Sequence, residues 1–288
     1  MRSILIFIPL IFTGLIIPSF TQEIPTPVRV KLVSDIASVK PGERLGLGVL
    51  FDIDPGWHVY WKYPGETGLP TRVEFKAPKG YEVGKLNWPI PLAFKKYDGG
   101  IDYGYEKSLL LWTNIDVPQD AEINSKAGID TAVSWISCKE ICIPGKANLE
   151  FDFKIADLRK PANTELFSNW QDSLPLGLSD SEVPFDVEVD KIKSGENSVL
   201  VLVTLDSKSR TKEAAYYPAP GDSLVVQDLK FEANPSGKKT EISFVVRAKN
   251  EARLSESVLD GLIVFADSKG KRSGVELKID FNDAGADN

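Results

Sequence analysis

The sequence is poor in the residues that carry most enzyme chemistry. Its 288 residues include one histidine, His58, and two cysteines, Cys138 and Cys142. A Ser-His-Asp hydrolase would have to use His58, and the chain contains no Gly-x-Ser-x-Gly nucleophile elbow. The sequence therefore gives no support for a classical hydrolase.

Positive charge and long apolar runs are also scarce. The formal net charge is -7, and no cluster of Lys and Arg is interleaved with aromatic residues, so nucleic acid is not an expected partner. After residue 20, no apolar stretch approaches the 18 residues of a membrane-spanning helix. We therefore expect the mature protein to be soluble.

The one long apolar run lies at the N-terminus, after a short basic start, Met1-Arg2-Ser3. Small residues at Ser19 and Thr21 fit a cleavage site before Gln22, so residues 1–21 are predicted to be a signal peptide. An uncleaved N-terminal anchor is the alternative, and no cysteine follows that could carry a lipid. The expected location is the periplasm or another extracytoplasmic compartment, where a disulfide can persist.

The two cysteines are four positions apart and are flanked by strand-like sequence. Apolar residues alternate before Cys138 and after Cys142, which predicts a hairpin with Lys139-Glu140-Ile141 at its tip. A disulfide that closes so small a ring stabilises the fold by about 2 kcal/mol or less. Three interpretations remain open at this point: a reversible dithiol, a structural bridge, and free thiols or metal ligands.

Hydrophobic alternation with a period of two recurs along most of the chain, which is typical of half-buried antiparallel strands. A short helix, predicted from Thr164 to Ser173, interrupts the strands, with Asn163 as its cap and Pro175 as the residue that ends it. We predict an all-β protein with two immunoglobulin-like β-sandwich domains, at 24–158 and 181–283, joined by a helical linker at 159–180. The second domain has no cysteine or histidine and is expected to be a structural or docking module.

Several aromatic and glycine-rich motifs follow one another along the first half of the chain. In order they are Gly56-Trp57-His58-Val59-Tyr60-Trp61, Gly68-Leu69-Pro70-Thr71, Trp88-Pro89, Tyr103-Gly104-Tyr105 and Trp135 to Pro144. In this order they resemble a known family, the N-terminal periplasmic domain of the thiol:disulfide interchange protein DsbD, and its ScsB-like branch in particular. The resemblance spans roughly residues 30–155 and continues more loosely to about 281.

The resemblance implies thiol-disulfide interchange through Cys138 and Cys142 as the redox pair. It also implies a cap loop within Phe94 to Gly100, in which Phe94 or Tyr97 covers the cysteines and Gly99 and Gly100 allow a close approach. Further rings are expected to line the site, namely His58, Tyr60, Trp135, Tyr103 and Tyr105. Which cysteine is the nucleophile stays open, because Lys139 and Glu140 have opposite effects on a thiol.

The same resemblance implies partners and processes. Thioredoxin-like periplasmic proteins are the expected acceptors of electrons, and a separate membrane protein is the expected donor, since this sequence has no transmembrane helices of its own. The family is associated with cytochrome c biogenesis, and the ScsB branch with copper tolerance. No cofactor or metal is expected, although copper held by His58 and the two thiolates is an alternative. A non-catalytic immunoglobulin-like scaffold with a structural disulfide is another.

Overall fold

The computed structural model describes residues 26–282, apart from residues 66, 67, 98, 196, 208–211, 235–237, 250, 251 and 267–269. The predicted signal peptide, residues 1–21, lies outside the described residues. Across the described ranges, the chain forms nineteen strands, one short 3₁₀ turn and a single α-helix, which confirms the prediction of an all-β protein. None of the described helical segments is long and apolar enough to cross a membrane.

The N-terminal part, residues 26–161, contains two sheets. The smaller sheet has the order β1 (Val28–Ser34), β3 (Arg44–Ile53), β9 (Ser108–Asp116) and β6 (Glu82–Val83). The larger sheet has the order β12 (Lys160–Pro161), β2 (Ile36–Val39), β11 (Cys142–Ile155), β10 (Lys126–Cys138), β4 (His58–Gly65), β8 (Ile101–Glu106) and β7 (Leu92–Lys95), and β5 (Arg72–Lys76) also pairs with β10. All named pairs in the two sheets are antiparallel except β2 with β11.

The larger sheet has one face turned into the protein, as the alternating sequence predicts. Val59 and Trp61 of β4, Tyr103 and Tyr105 of β8, and Trp135 of β10 are all buried in one apolar cluster with Phe51 and Leu109 of the smaller sheet. Successive residues of a strand point to opposite faces, so the residues between these are directed to the other side of the sheet. The position of the candidate site follows from this division.

The helix α1 (Thr164–Gln171) follows the N-terminal part and is two residues shorter than the predicted helix. Asn163 precedes it in a left-handed conformation (φ 47°), and its side chain makes no capping bond. The side-chain amide of Asn163 instead donates to the Ser34 carbonyl at 2.9 Å. Tertiary contact has therefore replaced the predicted cap, and Phe167 packs edge-on against Trp112 of β9.

The C-terminal part, residues 183–281, also contains two sheets. One has the order β13 (Phe185–Gly195), β14 (Ser198–Ser207), β17 (Lys239–Ala248) and β16 (Leu224–Ala233), and the other has the order β15 (Lys212–Ala219), β18 (Val258–Ala266) and β19 (Arg272–Asp280). Between the two sheets lies a separate apolar core that includes Tyr216, Phe244 and Ile263. The other face of the three-stranded sheet packs on the N-terminal part, through residues including Tyr217 and Leu262.

Candidate functional site

Cys138 and Cys142 form a disulfide at the tip of the β10–β11 hairpin. The two strands pair in continuous register from Lys126 opposite Lys154 up to Cys138 opposite Cys142, and the two cysteine Cα atoms are 4.2 Å apart. The Lys139 amide donates to the Ile141 carbonyl at 3.1 Å and closes the three-residue tip. The predicted hairpin is confirmed, and it brings the two thiols together without any helical turn.

The two cysteines are in unequal environments. Cys138 is 4% exposed, whereas Cys142 is exposed and follows Ile141, whose side chain is 65% exposed. The cause is the sheet itself, because Cys138 lies between β11 and β4 whereas Cys142 begins the outer strand of the hairpin. A reagent or protein that approaches the tip therefore meets Cys142 first.

The strand register places a group of side chains on the same face of the sheet as the disulfide. Residues directly opposite each other in an antiparallel pair share a face. Cys138 is opposite His58, Tyr60 is opposite Gly104, and Phe94 is opposite Asp102. We call the set Cys138, Cys142, His58, Tyr60, Phe94 and Asp102 the outer-face cluster.

His58 lies at the centre of the outer-face cluster. Its ring stacks on Phe94 at 4.5 Å between centroids, and it meets Tyr60 edge-on at 5.1 Å. Burial lowers the pKa of His58, while the charges of Asp102 and Glu106 oppose that shift. Its Nε2 atom is buried and has no hydrogen-bond partner among the described residues. The environment therefore favours the neutral form of the His58 imidazole, which is next to Cys138 in the sheet.

A buried carboxylate, Asp102, completes the cluster and was not anticipated from the sequence. Its side chain accepts a hydrogen bond from the Tyr60 hydroxyl, and the Lys96 ammonium is 3.9 Å away. Burial, followed by the charge and the hydrogen bond of Asp102, raises the pKa of Tyr60 to about 12. The available signal was the alternation of Asp102, Gly104 and Glu106 with two tyrosines, which indicates a strand with a second face.

The predicted cap residues form the end of the β7–β8 hairpin. Phe94 is part of β7 and is the ring that covers His58. Tyr97 lies in the loop with its side chain 113% exposed, so it covers nothing in this structure. Gly99 adopts a positive φ of 89° in the turn, and Gly100 is buried and accepts the Lys96 amide at 2.9 Å. Asp98, within the same predicted loop, lies outside the described residues.

The remaining predicted lining residues lie on the opposite face from the disulfide. Trp135 packs edge-on against Phe51, Tyr103 stacks on Tyr217, and the Tyr105 hydroxyl donates to the Pro89 carbonyl at 2.7 Å. The indole of Trp135 covers Gly145 so closely that a Cβ there would overlap the ring. These three residues belong to the core beneath the site, whereas His58 and Tyr60 line it.

The described part of the chain holds no group of three or more His, Cys, Asp or Glu side chains arranged to bind a metal ion. His58 and the two cysteines are neighbours in the sheet, but both sulfurs are joined in the disulfide. In this oxidised state the site presents a disulfide to an approaching partner.

Comparisons with known proteins agree with the geometry. The sequence model of the family described as "Thiol:disulfide interchange protein DsbD, N-terminal" matches residues 28–154. The structure resembles the N-terminal periplasmic domain of ScsB from Proteus mirabilis, with a TM-score of 0.64 and 16% identity over 88% of this chain and 94% of that one. Such a likeness establishes a shared fold.

Two further comparisons add little. The pilin subunit BcpA of Bacillus cereus, in its D312A variant, aligns over 89% of this chain and 68% of its own length, but with a TM-score of 0.30 and 8% identity. That similarity is too low to support any conclusion. A comparison with curated protein sequences gave no match.

Proposed function

From the match of residues 28–154 to the sequence model of the family described as the N-terminal domain of the thiol:disulfide interchange protein DsbD, we propose that the protein is an extracytoplasmic thiol-disulfide exchange protein. In this proposal Cys138 and Cys142 alternate between disulfide and dithiol. Electrons come from a separate membrane reductase and pass to thioredoxin-like proteins. The observation that carries the proposal is the disulfide at a hairpin tip with one exposed cysteine, Cys142.

A purely structural role explains the disulfide less well. The β10–β11 hairpin is already paired in continuous register, so its geometry does not depend on the bond. The closed ring is short, and its stabilisation by loop closure is about 2 kcal/mol or less. A bond that adds so little to folding, placed where a partner can reach it, is better suited to exchange.

The unequal burial suggests which sulfur meets the partner. A thiolate of a reduced partner attacks Cys142 Sγ, the Cys138–Cys142 bond breaks, and Cys138 leaves with the electron pair and takes up a proton. The partner's second thiolate then attacks its own first sulfur, and Cys142 is released and protonated. Two electrons and two protons have moved from the partner to this protein, and onward transfer is the reverse sequence.

The same proposal covers the domain organisation and the location. We regard 24–158 and 181–283 as two immunoglobulin-like domains joined by a linker at 159–180, with the redox pair in the first. Each of the two parts has a pair of sheets packed around apolar residues, which supports this division. An extracytoplasmic location is proposed because exchange of this kind needs a compartment in which the disulfide persists.

Trapping tests the proposal with the two single-cysteine variants. Reduced Cys138→Ala and Cys142→Ala proteins are mixed with a thioredoxin whose resolving cysteine is replaced and whose remaining cysteine is activated as a mixed disulfide with thionitrobenzoate, and dithiothreitol-sensitive adducts are quantified on non-reducing gels. The Cys138→Ala variant, which keeps the exposed thiol, is expected to accumulate the mixed disulfide because no second thiol can resolve it. The Cys142→Ala variant is expected to give much less. No adduct with either variant would count against exchange.

The reduction potential separates exchange from the scaffold alternative. A structural disulfide is expected below about -300 mV, whereas a working exchanger lies nearer to thioredoxin, at about -270 mV. Equilibration of the wild-type protein in dithiothreitol redox buffers gives the value directly. A potential well below -300 mV, together with no adduct, would favour a scaffold with a structural disulfide.

A further inference from the structure

Strand β8 and the residue that precedes β7 both contact the C-terminal part. On β8, the Tyr103 ring packs against Tyr217 of β15 at 4.5 Å between centroids, with the ring planes tilted by 32°. At the start of β7, the Arg272 guanidinium of β19 donates to the Pro91 carbonyl at 2.8 Å. Tyr103 and Tyr217 are only 4% and 8% exposed, so their contact is part of a core and not a surface touch.

The segment that leads into β7 is held from several sides. The Ile90 amide donates to the Ser173 carbonyl at 2.9 Å, and the Pro89 carbonyl accepts from Tyr105. Ile90 packs against Gly274 of β19, where a Cβ would lie 3.0 Å from Ile90 Cγ1. The segment Trp88-Pro89-Ile90-Pro91 is therefore fixed between the linker and the C-terminal part. Phe94 lies three residues after Pro91, within the short edge strand β7.

Alternation along β8 connects these contacts to the disulfide. Tyr103 faces the C-terminal part, whereas its neighbour Asp102 faces the outer-face cluster and bonds to Tyr60. A displacement of β8 away from Tyr217 would therefore move Asp102, and with it the paired residue Phe94. The ring that stacks on His58, beside Cys138, depends on this hairpin for its position.

We propose that the C-terminal part holds the β7–β8 hairpin in place through Tyr217 and Arg272, and so controls how readily the disulfide reacts. The two are positioning residues that touch neither sulfur. This gives the C-terminal part a function beyond that of a separate docking module. The inference rests on the proposed function only in treating the disulfide as a bond that is opened, and its test needs no protein partner.

The chain offers a matched pair of variants on one strand. Tyr217 faces the N-terminal part, whereas its neighbour Tyr216 faces the C-terminal core and stacks on Phe244 at 5.0 Å. Tyr217→Leu and Tyr216→Leu are the same substitution at adjacent buried positions. Both should lower the melting temperature, but only Tyr217→Leu removes the contact with β8.

The measurement is the rate at which dithiothreitol reduces the disulfide in the full chain, under conditions where circular dichroism shows every variant folded. Tyr217→Leu is expected to raise the rate about fivefold, since local opening becomes easier when an aromatic contact is lost. Arg272→Gln is expected to raise it as well, with Lys278→Gln on the same strand as its control. Tyr216→Leu should keep the wild-type rate.

Equal rates for Tyr217→Leu and Tyr216→Leu would overturn the proposal, because the effect would then follow from lost stability alone. A wild-type rate in both Tyr217→Leu and Arg272→Gln would also overturn it. These outcomes are independent of whether an adduct with thioredoxin forms, so failure of the positioning inference is distinguishable from failure of the exchange function.

Discussion

At the scale of single residues, the site depends on which face of a strand each side chain occupies. Cys138 and Trp135 are three positions apart on β10, and one faces His58 while the other faces the core. The burial of Cys138 and the exposure of Cys142 follow from their places in the sheet. His58, the only histidine in the chain, can therefore be followed individually as a probe of this environment.

The stability of the protein should report the protonation of His58. Burial lowers the pKa of His58 below 6.5, so the folded protein binds this proton less readily than the unfolded chain. The contribution of neutral His58 to the free energy of unfolding is fully present above about pH 6.5. It is lost as the pH falls through the pKa of His58 in the folded protein, which is lower. Below pH 6.5, the free energy of unfolding of His58→Phe should fall less steeply with pH than that of the wild type. The difference between the two slopes should be up to about 1.4 kcal/mol per pH unit.

Urea unfolding at pH 7.5, 6.5 and 5.5 measures this difference. Tyr60→Phe keeps His58 and serves as the control, which should retain the wild-type slope over that range. Parallel pH profiles for His58→Phe and wild type would mean that His58 is not desolvated in the folded protein.

At the scale of elements, the β7–β8 hairpin carries Phe94, the ring that stacks on His58 next to Cys138. Sequence reasoning assigned the covering ring to Phe94 or Tyr97, and the structure distinguishes them: Phe94 stacks on His58, whereas Tyr97 is fully exposed. The strand position of Phe94 opposite Asp102 fixes its direction, while Tyr97 lies beyond the paired residues. Shielding by this hairpin is thus expected to depend on one of the two rings.

Phe94→Ala should speed reduction of the disulfide by dithiothreitol about 2- to 10-fold, because an aromatic stack of this kind contributes about 0.5–1.5 kcal/mol. Tyr97→Ala should leave the rate at the wild-type value, since its exposed ring makes no covering contact. Alkylation of the reduced proteins by iodoacetamide gives a second measurement with the same expected order. If Tyr97→Ala had the larger effect on the rate, Tyr97 and not Phe94 would be the ring that covers the site in solution.

At the scale of the whole molecule, the two parts share a core. Tyr217, Leu262 and Val264 of the C-terminal part are buried in the same cluster as Trp61 and Tyr103. The three-stranded sheet is thus covered on both faces, by its own core on one and by the N-terminal part on the other. Exposing either face would place apolar surface in water, so the two parts should stabilise each other.

Thermal unfolding should therefore be a single transition. Five of the six tryptophans lie in the N-terminal part, and the sixth, Trp170, lies on α1 and packs against the same apolar cluster. Tryptophan fluorescence therefore reports chiefly the N-terminal part, whereas far-ultraviolet circular dichroism reports both parts. We expect the two signals to give the same midpoint, because the shared core couples the parts. A circular dichroism transition without a fluorescence change would show that the C-terminal part unfolds independently.

The sequence determined the local elements and the chemistry. The alternation around Cys138 and Cys142 was enough to predict the hairpin, since a hairpin depends on residues close in the chain. It left open whether the two thiols are joined, and the structure shows the disulfide. Strand patterning likewise predicted the all-β class. Motif order pointed to the family that matches residues 28–154.

Tertiary structure decided how the strands are arranged and which faces meet. The pairing of Cys138 with His58 joins residues 80 positions apart, and no local pattern encodes that register. The strand pairing places Trp135, Tyr103 and Tyr105 on the core side of the sheet and Asp102 on the side of the disulfide. Packing of the two parts then brings Tyr217 into contact with Tyr103 of β8. A strand's period of two defines two faces but does not say what each face will contact, and that choice is made only when the sheets pack.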